Sequence, residues 1–271
     1  MDTITHLFNS YLPEPHASLL NGILLGRPLF VTDTFYNQLK EVGLIHIVVL
    51  SGMNITLLSA IILHTTVPII GRRFAMMLTI AIIACFVYFV GAEAPVVRAG
   101  IMGILSLVGL LFGRKALTLY SLFLSAIIMI LIKNDWLTSI SFQLSFAATL
   151  GIVLFGSPVK DDDIVRDKTD KDYSLFSYLV DELRISLSAQ VFTVPIIFYY
   201  FRQISLVAPI TNILIAWLIA PIMILGLIMI PLGLINWQLG FVASWSVYPL
   251  LSIIVFVVEW LSKIPYASFT L

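Results

Sequence analysis

Residues 208–230 read APITNILIAWLIAPIMILGLIMI, a stretch of 23 residues without a charged side chain. The hydrocarbon core of a bilayer is about 30 Å thick, and about 20 mostly apolar residues in an α-helix cross it. A helix that is apolar nearly all round is typical of a membrane span. This stretch therefore predicts a transmembrane helix, and it decides the class of the fold.

The composition of the whole chain agrees with that of a membrane protein. Of its 271 residues, 60% are hydrophobic and only 11% are charged, whereas about a quarter of the residues of a soluble domain are charged. We predict an all-α fold, a polytopic integral membrane helical bundle of about eight transmembrane helices. The predicted spans are residues 44–67, 73–91, 95–112, 116–132, 139–157, 185–201, 208–230 and 240–261.

Prolines mark the two least regular of these spans. Pro195 lies in the sixth span, Pro209 and Pro221 lie in the seventh, and Pro231 follows directly after it. A proline removes a backbone hydrogen-bond donor, and a membrane tolerates a broken helix only where protein or water satisfies the freed groups. We therefore expect one or two broken helices at these positions.

The distribution of charge divides the chain into segments. Residues 1–42 precede the first predicted span and are expected to form a lead-in with an amphipathic helix, whereas residues 43–271 form the transmembrane domain. Eight of the 15 acidic residues fall in residues 158–184, which predicts a charged loop between two helices. A run of three aspartates in this loop lacks the glycine turn and the terminal glutamate of a calcium site.

Several kinds of chemistry are not expected of this chain. The single cysteine cannot form an intramolecular disulfide, and the four histidines are too dispersed for a local metal motif. No G-x-x-x-x-G-K-[ST] loop is present for ATP, and the net charge of +0 does not indicate a basic nucleic-acid surface. We expect no enzymatic activity, no catalytic residues, no metal and no cofactor.

The first cluster of intramembrane polar residues opens the first predicted span, in residues 43–54 (GLIHIVVLSGMN). At about 100° per residue, Asn54 lies about 80° and Ser51 about 140° from His46 around a continuous helix. Polar side chains at membrane depth cost free energy unless they are paired or hydrated. The three side chains are therefore predicted to face one cavity, with hydrogen bonding between helices and no ligand as the alternative.

The second cluster surrounds Arg98, in the segment APVVRAG of residues 94–100. Pro95 suits the first position of a helix, which places Arg98 in the first turn, where a cation opposes the positive end of the helix dipole. An anion should compensate the guanidinium, and the two candidates are Glu93 and a phosphate group of a ligand. In a third alternative the side chain extends to the membrane interface.

The third cluster is the segment SFQLSFAATLG, which begins at Ser141. Gln143 lies about 160° from both Ser141 and Ser145 around a helix, and it shares its side with Ala147 and Gly151. Small residues on one side of a membrane helix favour close packing against another helix. We therefore predict that one face of this helix is functional and the other structural.

In this order, the three segments resemble the competence domain of the ComEC family, polytopic inner-membrane proteins implicated in bringing transforming DNA into bacteria. The resemblance covers nearly the whole chain. The matching segments are residues 12–16 (LPEPH), 24–26 (LLG), 43–54, 94–100 and 142–148 (FQLSFAA), with weaker matches at 205–212 (SLVAPITN) and 264–269 (IPYASF).

The resemblance implies a membrane channel for the uptake of single-stranded DNA across the bacterial cytoplasmic membrane during natural transformation. A strand carries one phosphate charge per nucleotide, so the passage needs a wet polar lining that binds weakly at several places. No aromatic residue is assigned to the passage. The residues expected to line it are His46, Ser51, Asn54, Arg98, Gln143 and Asn212, the last in the seventh span.

The resemblance also implies a location and a set of partners. The expected location is the inner (cytoplasmic) membrane, which the chain crosses several times. The expected partners are single-stranded DNA, the lipid bilayer, further copies of the chain, and, on separate chains, a cytoplasmic ATP-driven motor and an extracytoplasmic DNA receptor or nuclease. Longer family members carry an OB-like domain and a metallo-β-lactamase-like domain, and we expect this chain to lack both.

Two other functions are compatible with the sequence. One is the transport of a small solute. The other is an intramembrane serine hydrolase in which His46 or His64 activates Ser51, since a hydroxyl nucleophile needs a base within hydrogen-bond reach. The Gly-x-Ser-Gly pattern of intramembrane serine proteases has a glycine two residues before the serine, where this chain has Val49.

Overall fold

The computed structural model describes residues 2–48, 52–91, 93–114, 118–156, 175–205, 207–264 and 268–270. The α-helices are α1 Asp2–Tyr11, α2 His16–Leu25, α3 Asp33–Glu41, α4 Ile45–Val48, α5 Gly52–Ile70, α6 Arg72–Val90, α7 Ala94–Leu111, α8 Thr118–Ile132, α9 Ile140–Phe155, α10 Leu175–Phe201, α11 Ala208–Ile235 and α12 Trp237–Leu261. A 3₁₀ helix covers Asn134–Thr138, and β1 Gln203–Ser205 pairs antiparallel with β2 Ser268–Thr270.

The expected helical membrane protein is confirmed, with a refined set of spans. Within the described residues, six helices are long and apolar enough to cross a bilayer. The helices at the predicted fourth and fifth spans, α8 and α9, have only 15 and 16 residues. At about 1.5 Å per residue they rise about 23 Å, less than the hydrocarbon thickness. Asn134 and Asp135 end the apolar run after α8, and they are the first two residues of the 3₁₀ helix.

The prolines do not interrupt the helices that contain them, contrary to our expectation. Pro195 lies inside α10, and Pro221 and Pro231 lie inside α11, and both helices run without a gap between their ends. Each proline removes one donor from the helix. Lipid offers no other partner for freed backbone groups, so continuing the helix on both sides leaves the fewest unsatisfied.

The predicted loop 158–184 is shorter than expected at its C-terminal end. Helix α10 begins at Leu175, so residues 175–184 (LFSYLVDELR) are helical and extend the sixth span. Leucine, glutamate and arginine have high helix propensity, which allows the helix to continue beyond its apolar part. Residues 158–174 of the predicted loop lie outside the described residues.

The chain consists of two compact units. The first unit comprises Met1–Leu57 and Gln203–Leu271, and the second comprises Leu58–Arg202. The lead-in of residues 1–42 contributes α1, α2 and α3 to the first unit, and its separation from the transmembrane domain stays a prediction.

Helix α2 lies at the centre of the first unit. All ten of its residues are buried, and it packs against α1, α4, α11 and α12. Gly22 permits the close approach to α4, because a Cβ at this position would lie 2.6 Å from the carbonyl oxygen of Val48. Ten residues are too few to cross a bilayer, so α2 is an internal helix of this unit.

The second unit contains α6 to α10, and its closest helix pair is α9 with α10. Ala94, Val97, Met129 and Phe142 form a buried apolar cluster that joins α7, α8 and α9. A cluster of this kind holds the three helices in a fixed register, since side chains at 7% exposure or less have little room to move. The polar residues of α7 and α9 are therefore presented in a defined arrangement.

Candidate functional site

Arg98 is a buried cation of the second unit, and its side chain crosses from α7 to α9. Only 8% of the residue is exposed. Its Nε donates to Ser145 Oγ at 3.0 Å, and its Nη1 donates to Thr149 Oγ1 and lies 3.7 Å from Met102 Sδ. Ser145 and Thr149 are one helical turn apart on α9, which places both hydroxyls on the face that meets the guanidinium.

The charge of Arg98 has no carboxylate partner among the described residues. Glu93 is exposed, and no hydrogen bond or ion pair links it to the guanidinium. Within the same part of the chain, no residue accepts a hydrogen bond from Nη2. A buried charge is costly unless it is paired. The two hydroxyls satisfy two nitrogens of this guanidinium, but because they are neutral they leave its positive charge available to an anion.

The start of α7 is one residue earlier than predicted. The helix begins at Ala94, so Pro95 is its second residue and Arg98 its fifth. Glu93 occupies the position before the helix and makes no side-chain cap. Arg98 therefore lies just beyond the first turn, where the opposing effect of the helix dipole is weaker than we expected.

Gln143 lies on the opposite side of α9 from Arg98, and its Nε2 donates to the carbonyl of Leu137 at 3.2 Å. On this side α9 and α10 border an open cleft of about 520 Å³, lined by Leu137, Phe142, Gln143, Phe146, Ala147, Leu150, Phe192, Pro195 and Ile196.

Gly151, on the same side of α9, is in contact with the backbone of Ser188 in α10, and a Cβ at position 151 would overlap the carbonyl oxygen of Ser188. The close packing predicted for the small-residue side of α9 is thus observed at Gly151, whereas a functional role for the other face stays a prediction. The structure does not bring Gln143 and Arg98 together.

In the first unit, Asn54 is fully buried and holds the C-terminal end of α2. Its Nδ2 donates to the carbonyl of Ile23 at 2.8 Å. Gly26, with φ of 65°, ends α2 in the left-handed conformation, and the N–H groups of Gly26 and Arg27 bond to Gly22 and Asn21. Carbonyls in the last turn of a helix lack intrahelical donors, so Asn54 supplies the donor that Ile23 needs.

The other predicted lining residues are only partly described. His46 lies in α4, Ser51 lies outside the described residues, and α5 begins at Gly52. The common face of His46, Ser51 and Asn54 therefore stays a prediction. Asn212 is half-buried near the start of α11, in the same unit as Asn54.

The structure also shows buried polar residues on α2 that were not among the predicted site residues. His16 stacks on Tyr248 with ring centroids 4.6 Å apart, and its Nε2 lies 3.0 Å from Ser252 Oγ. Asn21 Nδ2 donates to Asn9 Oδ1 at 3.0 Å and to the carbonyl of Ala17 at 2.9 Å. The sequence signal was a histidine and an asparagine within the short apolar segment HASLLNGILL, which is too short to be counted as a span.

No group of three or more His, Cys, Asp or Glu side chains that could hold a metal ion occurs in the part of the chain that the structure describes. The polar groups assembled in the two units are a guanidinium, hydroxyls, amides and an imidazole. These groups donate and accept hydrogen bonds, and the guanidinium attracts anions.

Asn54→Leu tests whether the side-chain amide of Asn54 caps the C-terminal end of α2. The substitution removes the donor to Ile23 and leaves a buried carbonyl without a partner, which costs about 1–3 kcal/mol. We expect a lower melting temperature in detergent, followed by circular dichroism. The matched control is Thr56→Val on the same helix, because Thr56 is exposed and bonds only within α5. Equal melting temperatures for the two variants would contradict the capping role.

Comparison with known proteins gives a family and one curated relative. A family model described as "Competence protein" matches residues 23–271. ComE operon protein 3 of Bacillus subtilis (strain 168) is 27% identical over 207 residues, which cover 76% of this chain and 25% of that protein. The aligned region thus spans about a quarter of the length of the relative. No solved structure gives a significant match.

Proposed function

Since the chain belongs to the competence protein family, we propose that it is a channel that conducts single-stranded DNA inward across the bacterial cytoplasmic membrane. The observation that supports this proposal is the environment of Arg98. Its buried guanidinium is held by two hydroxyls and lacks a carboxylate among the described residues. A phosphate of the passing strand supplies the missing negative charge.

The hydroxyl partners make Arg98 suited to transient contact. They bind Nε and Nη1 and so fix the orientation of the planar guanidinium, while Nη2 remains available. A bidentate arginine–phosphate pair uses two parallel hydrogen bonds and binds strongly. With one nitrogen available the contact is weaker, and conduction needs binding that permits both entry and release.

The other residues proposed to line the passage are His46, Ser51, Asn54, Gln143 and Asn212. Gln143 borders the open cleft of the second unit and has a spare amide oxygen for a base edge or a phosphate-bound water. Asn54 is fully buried against α2. It therefore reaches the strand only in a conformation in which the hydrogen bond to Ile23 is broken.

The proposed energy source lies on another chain. A membrane potential that is negative inside opposes the inward movement of each phosphate by about 2.3 kcal/mol per 100 mV. The sequence has no phosphate-binding loop for ATP. The partners that we propose are a cytoplasmic ATP-driven motor, an extracytoplasmic DNA receptor or nuclease, and further copies of this chain.

The test is the delivery of labelled single-stranded DNA to the cytoplasm of cells with and without this chain. We expect loss of cytoplasmic label without the chain and its return when the chain is supplied again, while label bound at the cell surface stays unchanged. Undiminished cytoplasmic label in its absence would refute the proposal. Flux of a small solute through DNA-free proteoliposomes, or labelling of Ser51 by a fluorophosphonate, would point to one of the other two functions.

A further inference from the structure

The lead-in runs along the helical hairpin of α11 and α12 from one end of the hairpin to the other. A single residue joins these two helices, which pack against each other and are both long and apolar enough to cross a bilayer. Near the turn of the hairpin, a Cβ at Gly233 would lie 2.9 Å from Leu7 Cδ1 of α1. At the start of α11, Gly43, which follows α3, lies against Ala208.

The two ends of the lead-in are therefore far apart along the hairpin. The contacts at Ala208 and Gly233 are separated by about 37 Å along α11. The hydrocarbon core of a bilayer is about 30 Å thick. The lead-in thus covers the depth of a membrane crossing, although it contains no helix long enough to cross by itself.

Helix α2 lies near the middle of this depth. His16, its first residue, stacks on Tyr248 of α12, and its Nε2 lies 3.0 Å from Ser252 Oγ. Near the other end of α2, Leu24 lies against Gly226 of α11. These contacts fall within about 7 Å of the midpoints of α12 and α11. Helix α2 therefore lies across the hairpin at mid-depth, from α12 to α11.

Seven residues without helix or strand structure connect α2 to α3. We call these residues, 26–32 (GRPLFVT), the connecting segment. The segment folds back along α2, since Ser18 Oγ donates to the carbonyl of Phe30 at 3.1 Å. Ser18 is two residues from His16, so this hydrogen bond holds Phe30 near the middle of the hairpin.

The backbone of the connecting segment is only partly hydrogen-bonded. Among the described residues, the N–H groups of Leu29, Phe30 and Val31 donate to no acceptor. Phe30 is 76% exposed, and Pro28 and Thr32 are exposed as well. Non-helical backbone at membrane depth is tolerated only where protein buries it or where it lines a water-filled cavity. Because this segment is exposed, water is the partner that its N–H groups require.

Polar groups next to this backbone agree with contact with water. Arg27 is the second residue of the connecting segment, and Asp33 follows it directly. Charged side chains at membrane depth face the interior of the protein or a water-filled cavity. On α2, Asn21 is 3% exposed, and its Oδ1 accepts no hydrogen bond from the described residues. Buried water commonly satisfies polar atoms of this kind.

From these observations we infer that the lead-in is a broken crossing of the membrane whose connecting segment lines an aqueous cavity of the first unit at mid-depth. Helix α2 packs on the hairpin, and the connecting segment forms a wall that water reaches. Discontinuous membrane helices form the substrate sites of many transporters, close to the bilayer midplane. On the premise of the proposed function, the cavity is part of the passage for the hydrated, anionic strand.

The first test measures whether water reaches the connecting segment. Cys85, which is exposed, is replaced by serine, and Phe30→Cys or Ile224→Cys is introduced into the full chain in proteoliposomes. A charged methanethiosulfonate reacts with the thiolate, and a thiol in hydrocarbon does not ionise. Ile224 is the matched control, because it is 39% exposed and lies within about 4 Å of the midpoint of α11. We expect the Phe30→Cys variant to react at least about 10-fold faster.

A second position keeps this test valid if the Phe30→Cys variant does not fold. Pro28→Cys lies in the same exposed part of the connecting segment and should also react faster than the Ile224→Cys variant. Reaction of the folded Phe30 or Pro28 variants as slow as that of the Ile224 variant would overturn the cavity.

The second test locates the two ends of the lead-in. His6 on α1 and Asn37 on α3 are exposed. In the same cysteine-free background, His6→Cys and Asn37→Cys are labelled with a membrane-impermeant maleimide, in spheroplasts and in inverted vesicles. We expect one variant to be labelled only in spheroplasts and the other only in inverted vesicles. Labelling of both variants from the same side would overturn the crossing.

The outcomes separate this inference from the proposed function. Fast reaction of the Phe30→Cys variant, without uptake of single-stranded DNA by the wild type, would refute the channel and leave the cavity standing. Normal uptake with an unreactive Phe30→Cys variant would overturn the cavity and leave the channel standing. Modification of the Phe30→Cys variant, but not of the Ile224→Cys variant, is expected to reduce uptake. Unchanged uptake after complete modification would overturn the assignment of the cavity to the passage.

Discussion

Arg98→Met is expected to reduce the uptake of single-stranded DNA about 10-fold to 150-fold while the amount of folded protein stays close to that of the wild type. Hydrogen bonds to charged groups contribute about 1.5–3 kcal/mol, which corresponds to this range of affinity. Methionine keeps most of the buried volume but removes the charge that is proposed to meet the phosphate. The measurement is cytoplasmic delivery of labelled DNA, normalised to the protein in the membrane.

The stability of the Arg98 variant follows from its neighbours. Thr149 Oγ1 also donates to the carbonyl of Ser145 at 3.0 Å, so this hydroxyl keeps a partner when the guanidinium is removed. Loss of a buried charge without a carboxylate partner also removes a desolvation cost. We therefore expect little change in melting temperature.

The matched control for Arg98 is Arg184→Met in the same unit. Arg184 is exposed, and its Nε bonds to the backbone carbonyl of Phe155 at 3.4 Å. Its loss should leave uptake unchanged. If Arg98→Met lowers protein abundance as much as it lowers uptake, Arg98 is a folding residue and the phosphate contact is refuted.

Gly151→Ala is expected to destabilise the second unit by about 2–3 kcal/mol or more. The added Cβ would overlap the carbonyl oxygen of Ser188 and also contact the backbone of Ala189, so the two helices must separate. Overpacking of this kind costs about 1–3 kcal/mol. The neighbouring atoms belong to the backbone, and unlike a side chain the backbone cannot relieve the overlap by changing rotamer. A fall in melting temperature of about 5 °C or more is expected.

Gly103→Ala is the control for this substitution. Gly103 is also a helical glycine of the second unit, and a Cβ there would lie 3.7 Å from Ile83 Cδ1, an ordinary contact. Alanine has a higher helix propensity than glycine, so this variant should melt at or above the wild-type temperature. Equal melting of the two variants would show that α9 and α10 are not as closely packed as described.

The two faces of α9 could be predicted from the sequence because helical periodicity alone decides them. The spacing of Gln143, Ala147 and Gly151 indicated one side, and that of Ser141 and Ser145 the other. Which neighbour meets each face could not be predicted, since it depends on helices far away in the chain. Arg98 approaches from α7, 47 residues before Ser145 in the chain, and Ser188 approaches Gly151 from α10.

The role of Asn54 was also decided by a distant partner. Its position in a span indicated a buried amide that needs a hydrogen bond. The structure shows both the burial of Asn54 and a hydrogen bond from its amide. The acceptor is the carbonyl of Ile23 at the end of α2, a helix that is too short to be recognised as part of the membrane domain.

The sequence by itself determined that the chain is helical and crosses a membrane, because runs of about 20 apolar residues have only one stable arrangement in lipid. It also determined the faces of individual helices, since the helical period is a local property. Only the tertiary structure decided that the charge of Arg98 meets hydroxyls and that Asn54 caps α2. These features depend on contacts between segments distant in sequence, and helix–helix packing in lipid is governed by close van der Waals fit and interhelical hydrogen bonds, which local composition does not encode.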